Sequence, residues 1–396
     1  MTTPHVLYVL KRYPRLSETF IVRELIQLEA TGAQVSIDAL LPPEGLAQHP
    51  EVASVRASVR YIDRRPKLRS PQVFAVHLRV ARRRPVAWVR AARRARQFDT
   101  WRRFVQAGLV ADRVRRDGIT HIHAHFATAS SEVAQAAASM AGVPWTVTAH
   151  AKDIFHVDNA PHLARRVDGA ACVVTVSEFN VDHLRKHVPD TPTRLITNGM
   201  ATAVGHGPAE RGPVLCVARL VGKKGIDTLI DAVALAVRDH DQLRLQIIGD
   251  GELAPSLRER VAALGLADRV EFLGAQPSDV VMEAYRRCSM VVLPCRVTAS
   301  GDRDGMPTVI LEALARAVPV VSTDVCGIAE VVQHGVTGLL VEPDDPDALA
   351  VALGKLFGDH DLAVALGTAG RDVVNHRHDP VRSADQLHEL FVEASS

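Results

Sequence analysis

Short runs of β-branched and aliphatic residues recur along the chain, each followed by an amphipathic stretch, and the series runs twice. HVLYVL (5–10) precedes a helical pattern from about Glu18 to Ala30, and QVSIDAL (34–40) follows. ITHIHAHF (119–126), TVTAH (146–150) and ACVVTVS (171–177) continue the strand series. Strands separated by enough chain for a crossover helix pair in parallel. The stretch TNGMATAVGHGPAERGP (197–213), rich in Gly, Pro and Ala, reads as a linker. Beyond it the rhythm restarts with VLCVARL, LRLQIIGDG, RVEFLG, SMVVLP and VPVVSTD, separated by amphipathic segments such as IDTLIDAVALAVRDH (226–240). The expected fold is α/β: two doubly wound, Rossmann-like halves with ligand positions at the carboxyl ends of the strands. A chain of 396 residues is too long for one ordinary core, which agrees with two domains. The expected division is an N-terminal domain over 1–205, a C-terminal domain over 206–375, and a tail over 376–396. The tail holds the amphipathic run SADQLHELFVEA (383–394) and is expected to pack back on the N-terminal domain.

Composition narrows the classes. Apolar residues make up 47% of the chain but aromatics only 4%, which argues against base-stacking surfaces, so no nucleic-acid partner is expected. No run reaches the roughly 18 uninterrupted apolar residues of a membrane span. MTTPHVLYVLKRYP reads as a strand rather than a secretory signal. Five scattered cysteines without CxxC spacing read as reduced, buried thiols, and a cytoplasmic location is expected. Charge is uneven: residues 64–116 hold 17 Lys/Arg against two acids, Asp99 and Asp112, while the remainder holds 30 basic and 43 acidic residues. This block reads as two or three helices broken at Pro85, without a clean apolar stripe. Its arginines, with Trp88, Phe98, Trp101 and Phe104, could dock on an anionic membrane at the inner face; a solvated helical hairpin fits equally well.

In the second half, VLCVARL ends at Arg219, and Lys223-Lys224-Gly225 precede the next helix. Cations at a strand-to-helix junction suit a diphosphate, although a solvated loop reads the same way in isolation. Gly249-Asp250-Gly251 after LQIIG is half a dinucleotide fingerprint, and a tight turn is its first reading. GDRDGMPTVILE (301–312) offers a metal dyad, an anion-receiving helix start, or two carboxylates gripping a ligand. Pro307 fits the first turn of a helix running to about Arg316, with the Gly305 and Met306 N–H groups outward. A DxD pair serves Mg²⁺ when diphosphate supplies further ligands, but Arg219 and Lys224 can neutralise the same diphosphate without metal. His121, His123 and His125 alternate along one strand and share a face. No fourth zinc ligand accompanies them; they read as core hydrogen-bonding groups, with His125 at a cleft edge. Asp153, three residues after His150, reads first as a cap of the following helix and second as a group that orients its neighbours.

The series ARLVGKKGIDTLIDA, LQIIGDGEL, VEFLG, DGMPTVILEALARAVPVVSTD and HGVTGLLVEP resembles the retaining glycosyltransferases of family four, with the GT-B architecture. It covers the C-terminal half in order. YPRLSETFIVRELIQLEATGAQV, HAHF and TAHAKDIF resemble the colanic-acid and exopolysaccharide branch of that family. The resemblance implies two domains facing across a cleft, and a nucleotide-sugar donor held mostly by the C-terminal half. Arg219 and Lys224 would bind its diphosphate, and Glu312 the ribose hydroxyls. Asp304 stands where the family has a glutamate near the donor sugar. His150 resembles the histidine beside the transferred sugar. Gly249, Gly251, Gly274, Gly305, Met306 and Pro307 fall at donor-side positions. Ser17, Glu18 and Thr19, with His125, fall on the acceptor side or at the phosphate loop, where many relatives carry Gly-Gly. Ala317 replaces a glycine common before VPVV.

The implied activity is retaining transfer of a hexose from a UDP-sugar, or next a GDP-mannose, to a glycan or lipid-linked hydroxyl, with no metal or other cofactor. No carboxylate is assignable as a covalent nucleophile, which leaves front-face attack assisted by the leaving phosphate. Glycosylation of a small soluble metabolite is the runner-up. A non-enzymatic lipid- or nucleotide-binding scaffold would not need Arg219, Lys224 and Glu312 together. A nucleotide-dependent oxidoreductase lacks its GxGxxG after the first strand.

Overall fold

The computed structural model describes residues 3–15, 18–43, 50–63, 68–201 and 206–396. The chain divides into two compact units, crossing between them at Gly199/Met200 and again at Asp379/Pro380; the short piece Ser177–Phe179 groups with the second unit.

The N-terminal unit is built on seven parallel strands: β1 (His5–Leu10), β2 (Gln34–Ala39), β3 (Ser58–Tyr61), β4 (His121–His125), β5 (Trp145–Ala149), β6 (Cys172–Thr175) and β7 (Thr193–Leu195). Their order is β3-β2-β1-β4-β5-β6-β7, so the winding reverses between β1 and β4. Strands such as HVLYVL are apolar on both faces because helices cover both sides. One face packs Ile122, Ala124 and Val147 against apolar side chains of α4 (Trp101–Arg116) and α5 (Ala129–Ala141). The other packs Val6, Tyr8 and Ile37 against α1 (Thr19–Ala30) and the C-terminal helix Pro380–Ser395. Leu387, Leu390 and Phe391 of that last helix, at the i, i+3, i+4 spacing, are buried there. Each such side chain contributes roughly 1.5–3 kcal/mol relative to exposure.

The basic segment folds as α2 (Pro71–Arg83), α3 (Pro85–Gln97) and α4, with Pro85 opening α3; residues 64–67 lie outside the described residues. It is not wholly an insertion. The helix α4 is the crossover that returns the chain from β3 to β4, and Phe104, Val105, Ala107, Val110, Ala111 and Val114 bury against the sheet layer. The charge density is also partly answered in three dimensions. Arg113 meets the fully buried Asp38 at 2.6 Å, Arg79 and Arg116 meet Asp112 at 2.8 and 3.2 Å, and Arg94 meets Asp168 at 2.8 Å. Of the four aromatics read as a lipid-facing set, Phe104 is buried, and Trp88 donates from Nε1 to His77 Nδ1 at 3.1 Å. Phe98 and Trp101 are exposed. Among the described residues no helix is long and apolar enough to cross a membrane.

The C-terminal unit has six parallel strands: β8 (Val214–Val217), β9 (Leu245–Ile248), β10 (Val270–Gly274), β11 (Met290–Leu293), β12 (Val320–Thr323) and β13 (Leu339–Val341). Their order is β10-β9-β8-β11-β12-β13, reversing between β8 and β11. The helix Ile226–Ala236 packs against Pro346–Gly358; Leu229, Ile230 and Val233 of the first and Leu349, Leu353 and Leu356 of the second are buried. Local capping is written in the sequence: Asp345 and Asp359 accept from Ala348 N and Leu362 N, both at 2.9 Å. The edge or near-edge strands β3, β7 and β13 are only three or four residues long, too short to show a period of their own. The four cysteines 172, 216, 288 and 295 are buried free thiols, and Cys326 is half-buried.

Candidate functional site

The switch point of the C-terminal sheet gathers its charges. Arg219 lies two residues past β8, and Lys223 and Lys224 occupy a single turn, Gly222–Lys224, ahead of the helix Ile226–Ala236. From the loop after β11, Asp304 reaches both lysines: Lys224 Nζ lies 2.5 Å from Oδ2 and Lys223 Nζ 3.2 Å from Oδ1. Asp302 joins the group, its Oδ1 accepting from Lys223 Nζ at 3.1 Å. Lys223 also donates to the Arg303 carbonyl at 3.2 Å. Burial alone would push the Asp304 carboxyl up, but Lys224 and Lys223 outweigh it and hold it far below the usual carboxylate range. Burial likewise opposes the Lys224 charge, and Asp304 more than offsets it, so the ammonium holds its proton more firmly than usual. Among the described residues the Arg219 side chain has neither hydrogen bond nor ion pair; it is exposed and near enough to Lys224 to oppose its charge. The switch point therefore offers one free guanidinium beside a buried ammonium that has two further N–H donors.

Glu312 sits in the short helix Thr308–Leu314, nearly buried, and Tyr285 Oη donates to its Oε2 at 3.2 Å. The helix is shorter than the sequence implied. Pro307 stands before it with an extended backbone (ψ 120°) rather than in its first turn, and the chain leaves it at Ala315, with Ala317 at φ 58°. Gly305, Met306 and Pro307 are buried. Gly249 and Gly251 serve close backbone packing. A Cβ on Gly249 (φ 137°) would lie 1.8 Å from the Ala218 carbonyl oxygen, and one on Gly251 2.4 Å from that of Leu220. Gly274 (φ 69°) ends β10, and its carbonyl accepts from Gly249 N at 2.8 Å.

The N-terminal sheet carries a second polar group at its own switch point. Tyr8 Oη and His125 Nε2 both bond Glu24 Oε1, at 2.8 and 2.9 Å, and His125 Nδ1 lies 3.1 Å from His150 Nε2. A carboxylate only accepts, so the network assigns the His125 proton to Nε2. His125 Nδ1 then accepts from His150 Nε2–H, and the lone pair of His150 falls on Nδ1. Burial, with His125 as a lesser cause, pushes the His150 pKa well down, which keeps the ring neutral. Phe20 and Phe126 flank it, with ring centroids 4.8 and 4.7 Å away. His125 is not at an open edge, being 1% exposed, because the side chain is enclosed by Tyr8, Phe20 and Phe126. His121 and His123 both bond Thr146 Oγ1 at 2.8 Å, and His123 also bonds Thr148 Oγ1 at 3.0 Å. The ligand-type atoms of Glu24, His123 and His125 come within 4.8 Å of one another, but both nitrogens of each histidine already have hydrogen-bond partners.

Asp153 is not the cap the sequence implied. It lies inside the first turn of the short helix Lys152–Phe155, and its carboxylate accepts from Ala127 N at 2.8 Å, Ala151 N at 2.9 Å and His150 N at 3.2 Å. It thereby pins the loop carrying His150 to the loop after β4. Burial pushes its carboxyl up, and these N–H groups pull it part of the way back. Asn180 Nδ2 holds the His150 carbonyl at 2.7 Å. Glu18 is engaged by Arg15 at 2.9 Å and Thr19 opens α1, while Ser17 lies outside the described residues. Sequence reasoning missed Glu24, Tyr285 and the role of Lys223. Glu24 left a signal: it sits three residues after Ile21 and four after Phe20, a carboxylate close to the inward apolar stripe of α1.

Residues 206–373 match the family model described as "Glycosyl transferases group 1". Over 166 residues the chain is 39% identical to the GDP-mannose-dependent alpha-(1-6)-phosphatidylinositol monomannoside mannosyltransferase of Mycobacterium tuberculosis. The alignment covers 42% of this chain and 43% of that protein, so the chain spans less than half the length of that relative. It is 27% identical over 393 residues to the putative colanic acid biosynthesis glycosyltransferase WcaL of Salmonella typhimurium, covering 93% and 95% of the two chains. In fold it is similar to Anabaena Alr3699/HepE, solved in complex with UDP and glucose, with a TM-score of 0.74 at 18% identity over 98% of both chains. Two all-parallel, doubly wound sheets with their charged side chains at the strand ends are the GT-B class of fold. Residues 206–373 thus resemble the group 1 glycosyltransferases, and the chain as a whole is similar to an exopolysaccharide-type member, the colanic acid protein.

Proposed function

We propose that the protein transfers a hexose from a nucleoside diphosphate sugar to a hydroxyl of a glycan or lipid-linked acceptor in polysaccharide or glycolipid biosynthesis. The transfer retains the anomeric configuration and uses no metal. The observation that carries this reading is the free Arg219 beside the Lys223–Asp304–Lys224 group, inside the stretch that matches the family model. A diphosphate received there meets Arg219 and the remaining N–H donors of Lys224, which stabilise the charge that develops as the sugar leaves. Asp304, fixed as a carboxylate by both lysines, is ready to accept from donor-sugar hydroxyls, and Glu312, steadied by Tyr285, from the ribose. Neutral His150 offers the Nδ1 lone pair to a hydroxyl of the transferred sugar. With no protein carboxylate assigned as nucleophile, attack comes on the face the diphosphate leaves, and the departing phosphate takes the acceptor proton.

For the donor, 39% identity over 166 residues to a GDP-mannose-dependent enzyme weighs more than a fold-level likeness to a UDP-bound structure, and it moves GDP-mannose ahead of a UDP-sugar. The exposed arginines of α2 and α3 keep an anionic membrane as the proposed docking partner.

A panel of GDP-, UDP- and ADP-sugars, read by hydrolysis and by calorimetric binding, tests the reaction class. Lys224→Ala and Glu312→Ala should each lower turnover at least tenfold, about 1.4 kcal/mol. Unchanged kinetics would remove these residues from the site. An inverted linkage, read by NMR of the product, would end the retaining mechanism.

A further inference from the structure

Three guanidiniums converge on one carboxylate in the N-terminal unit. Glu132, in the first turn of α5 and 7% exposed, accepts from Arg165 at 2.8 Å and from Arg166 at 3.0 Å through one oxygen, and from Arg103 through the other. The side chains of Arg103, Arg165 and Arg166 are 27%, 18% and 9% exposed. Arg102 stands beside them, exposed, with no hydrogen bond or ion pair among the described residues. Arg165 Nε is buried and has no hydrogen-bond partner. Asp99 lies beside Arg102 and Arg103 but pairs with none of these arginines. Two negative charges, Glu132 and Asp99, thus stand against four positive ones. Partly buried like charges repel strongly unless an anion joins them. The strain is visible at Arg103, whose pKa is pushed down to about 10 by burial and by Arg166, Arg102 and Arg165.

These side chains open on a recess of about 460 Å³, floored on one side by Phe98, whose ring lies 4.5 Å below the Arg165 guanidinium carbon. His162 adds a further donor at its rim. The recess is tied to the loop bearing His150. Arg166 donates to the Ala127 carbonyl at 3.4 Å, and Ala127 N and His150 N share the Asp153 carboxylate. We propose that this recess binds a phosphate or diphosphate group, and that it seats the phosphate of the sugar acceptor. The excess of about two positive charges suits a phosphate dianion, whereas a lone carboxylate would leave half of it unanswered. Guanidinium forks match phosphate oxygens two at a time. The acceptor role rests on the glycosyltransferase reading; the phosphate site does not.

The probe is inorganic pyrophosphate, titrated calorimetrically into the full-length protein and into Arg102→Glu. Arg102 is exposed and unpaired, so its replacement spares the fold, and Arg102→Ala controls for the new acid. The donor-side cations are the same in every protein compared. The expected result is a binding step weakened tenfold or more in Arg102→Glu, and to a lesser degree in Arg102→Ala. Binding of GDP and UDP should stay unchanged. Superimposable pyrophosphate isotherms would overturn the site, whatever the nucleotides do. Loss of nucleotide binding by the unaltered protein would instead overturn the glycosyltransferase reading and leave the pyrophosphate comparison standing. Flotation with phosphatidylcholine vesicles, with and without phosphatidic acid, separates the sources. Arg102-dependent flotation on phosphatidic acid assigns the phosphate to a lipid headgroup, and pyrophosphate binding without flotation assigns it to a soluble acceptor.

Discussion

The strands β4 and β11 occupy the same place in their sheets, each beside the first strand and at the reversal of winding, yet they solve burial in opposite ways. In β11 the four buried residues are Met290, Val291, Val292 and Leu293, and the chemistry waits in the loop beyond. In β4 all five residues are buried and three are histidines. Each imidazole there needs a partner from elsewhere: Thr146 and Thr148 from β5, Glu24 from α1, and His150 from the loop after β5. An apolar strand asks only for neighbours of suitable size, whereas a polar one needs particular atoms in particular places. The N-terminal unit is therefore the more specified and the more vulnerable of the two.

Acid is the strongest way to break the parallel. His121 has its pKa pushed down to about 3 by burial, and His123 and His150 are also pushed well below their ordinary 6.5. Below pH 6.5 the unfolded chain takes up protons at these positions and the folded chain does not, so stability falls as pH falls. Each histidine contributes up to roughly 1.4 kcal/mol per pH unit, or about 4 kcal/mol per unit for the three. The C-terminal unit behaves differently. Asp304 is depressed below its ordinary 3.8, so its contribution is complete above that pH and fades only below it. Hydrogen exchange, corrected for intrinsic rates, should show β4 and β5 losing protection between pH 6.5 and 4 while β11 and β12 keep theirs. Equal loss in both units would erase the distinction.

The next effect is on turnover. Glu24→Gln keeps an oxygen for Tyr8 and His125 but removes the charge that fixes the tautomers. Turnover is expected to fall about tenfold, roughly 1.4 kcal/mol, with little change in Tm. Nitrogen NMR of the His150 ring should show Nδ1 unprotonated in the parent protein and a mixed tautomer in the variant. A ring signal that does not respond would show that Glu24 has no hold on His150.

The smallest effect tests the loop-borne chemistry of the other unit. Ala317, at φ 58°, follows the Glu312 helix in a conformation that costs a non-glycine residue about 1 kcal/mol. Ala317→Gly relieves that strain but gives up a buried methyl and adds unfolded-state freedom. Thermal unfolding should shift by no more than a few degrees, with Glu312-dependent turnover intact.

The same contrast explains which residues are legible in the order of amino acids alone. Arg219 and Lys224 sit in a loop and turn just past a strand, and Glu312 in the short helix that follows another, so a local pattern exposes them. The partners of Lys224 are not legible that way, because Asp304 lies 80 residues further on and is brought near by sheet order. Asp153 reads as a cap because a carboxylate near a helix start usually is one. Only the approach of the loop after β4 turns it into a clamp. Glu24 is hidden by its helix, where one carboxylate close to an apolar stripe looks like an exposed position until β4 is laid against it.

By itself the sequence determined the alternation of strand and helix, the parallel sense of both sheets and the loops that carry chemistry, because hydrophobic periodicity and crossover length are local properties. Tertiary structure alone decided how the charges settle. Arg113 finds Asp38 and becomes structural, while Arg103, Arg165 and Arg166 crowd one glutamate, with Arg102 left unpaired beside them. Coulomb interactions depend on distance and burial, and neither quantity is written in the order of the residues.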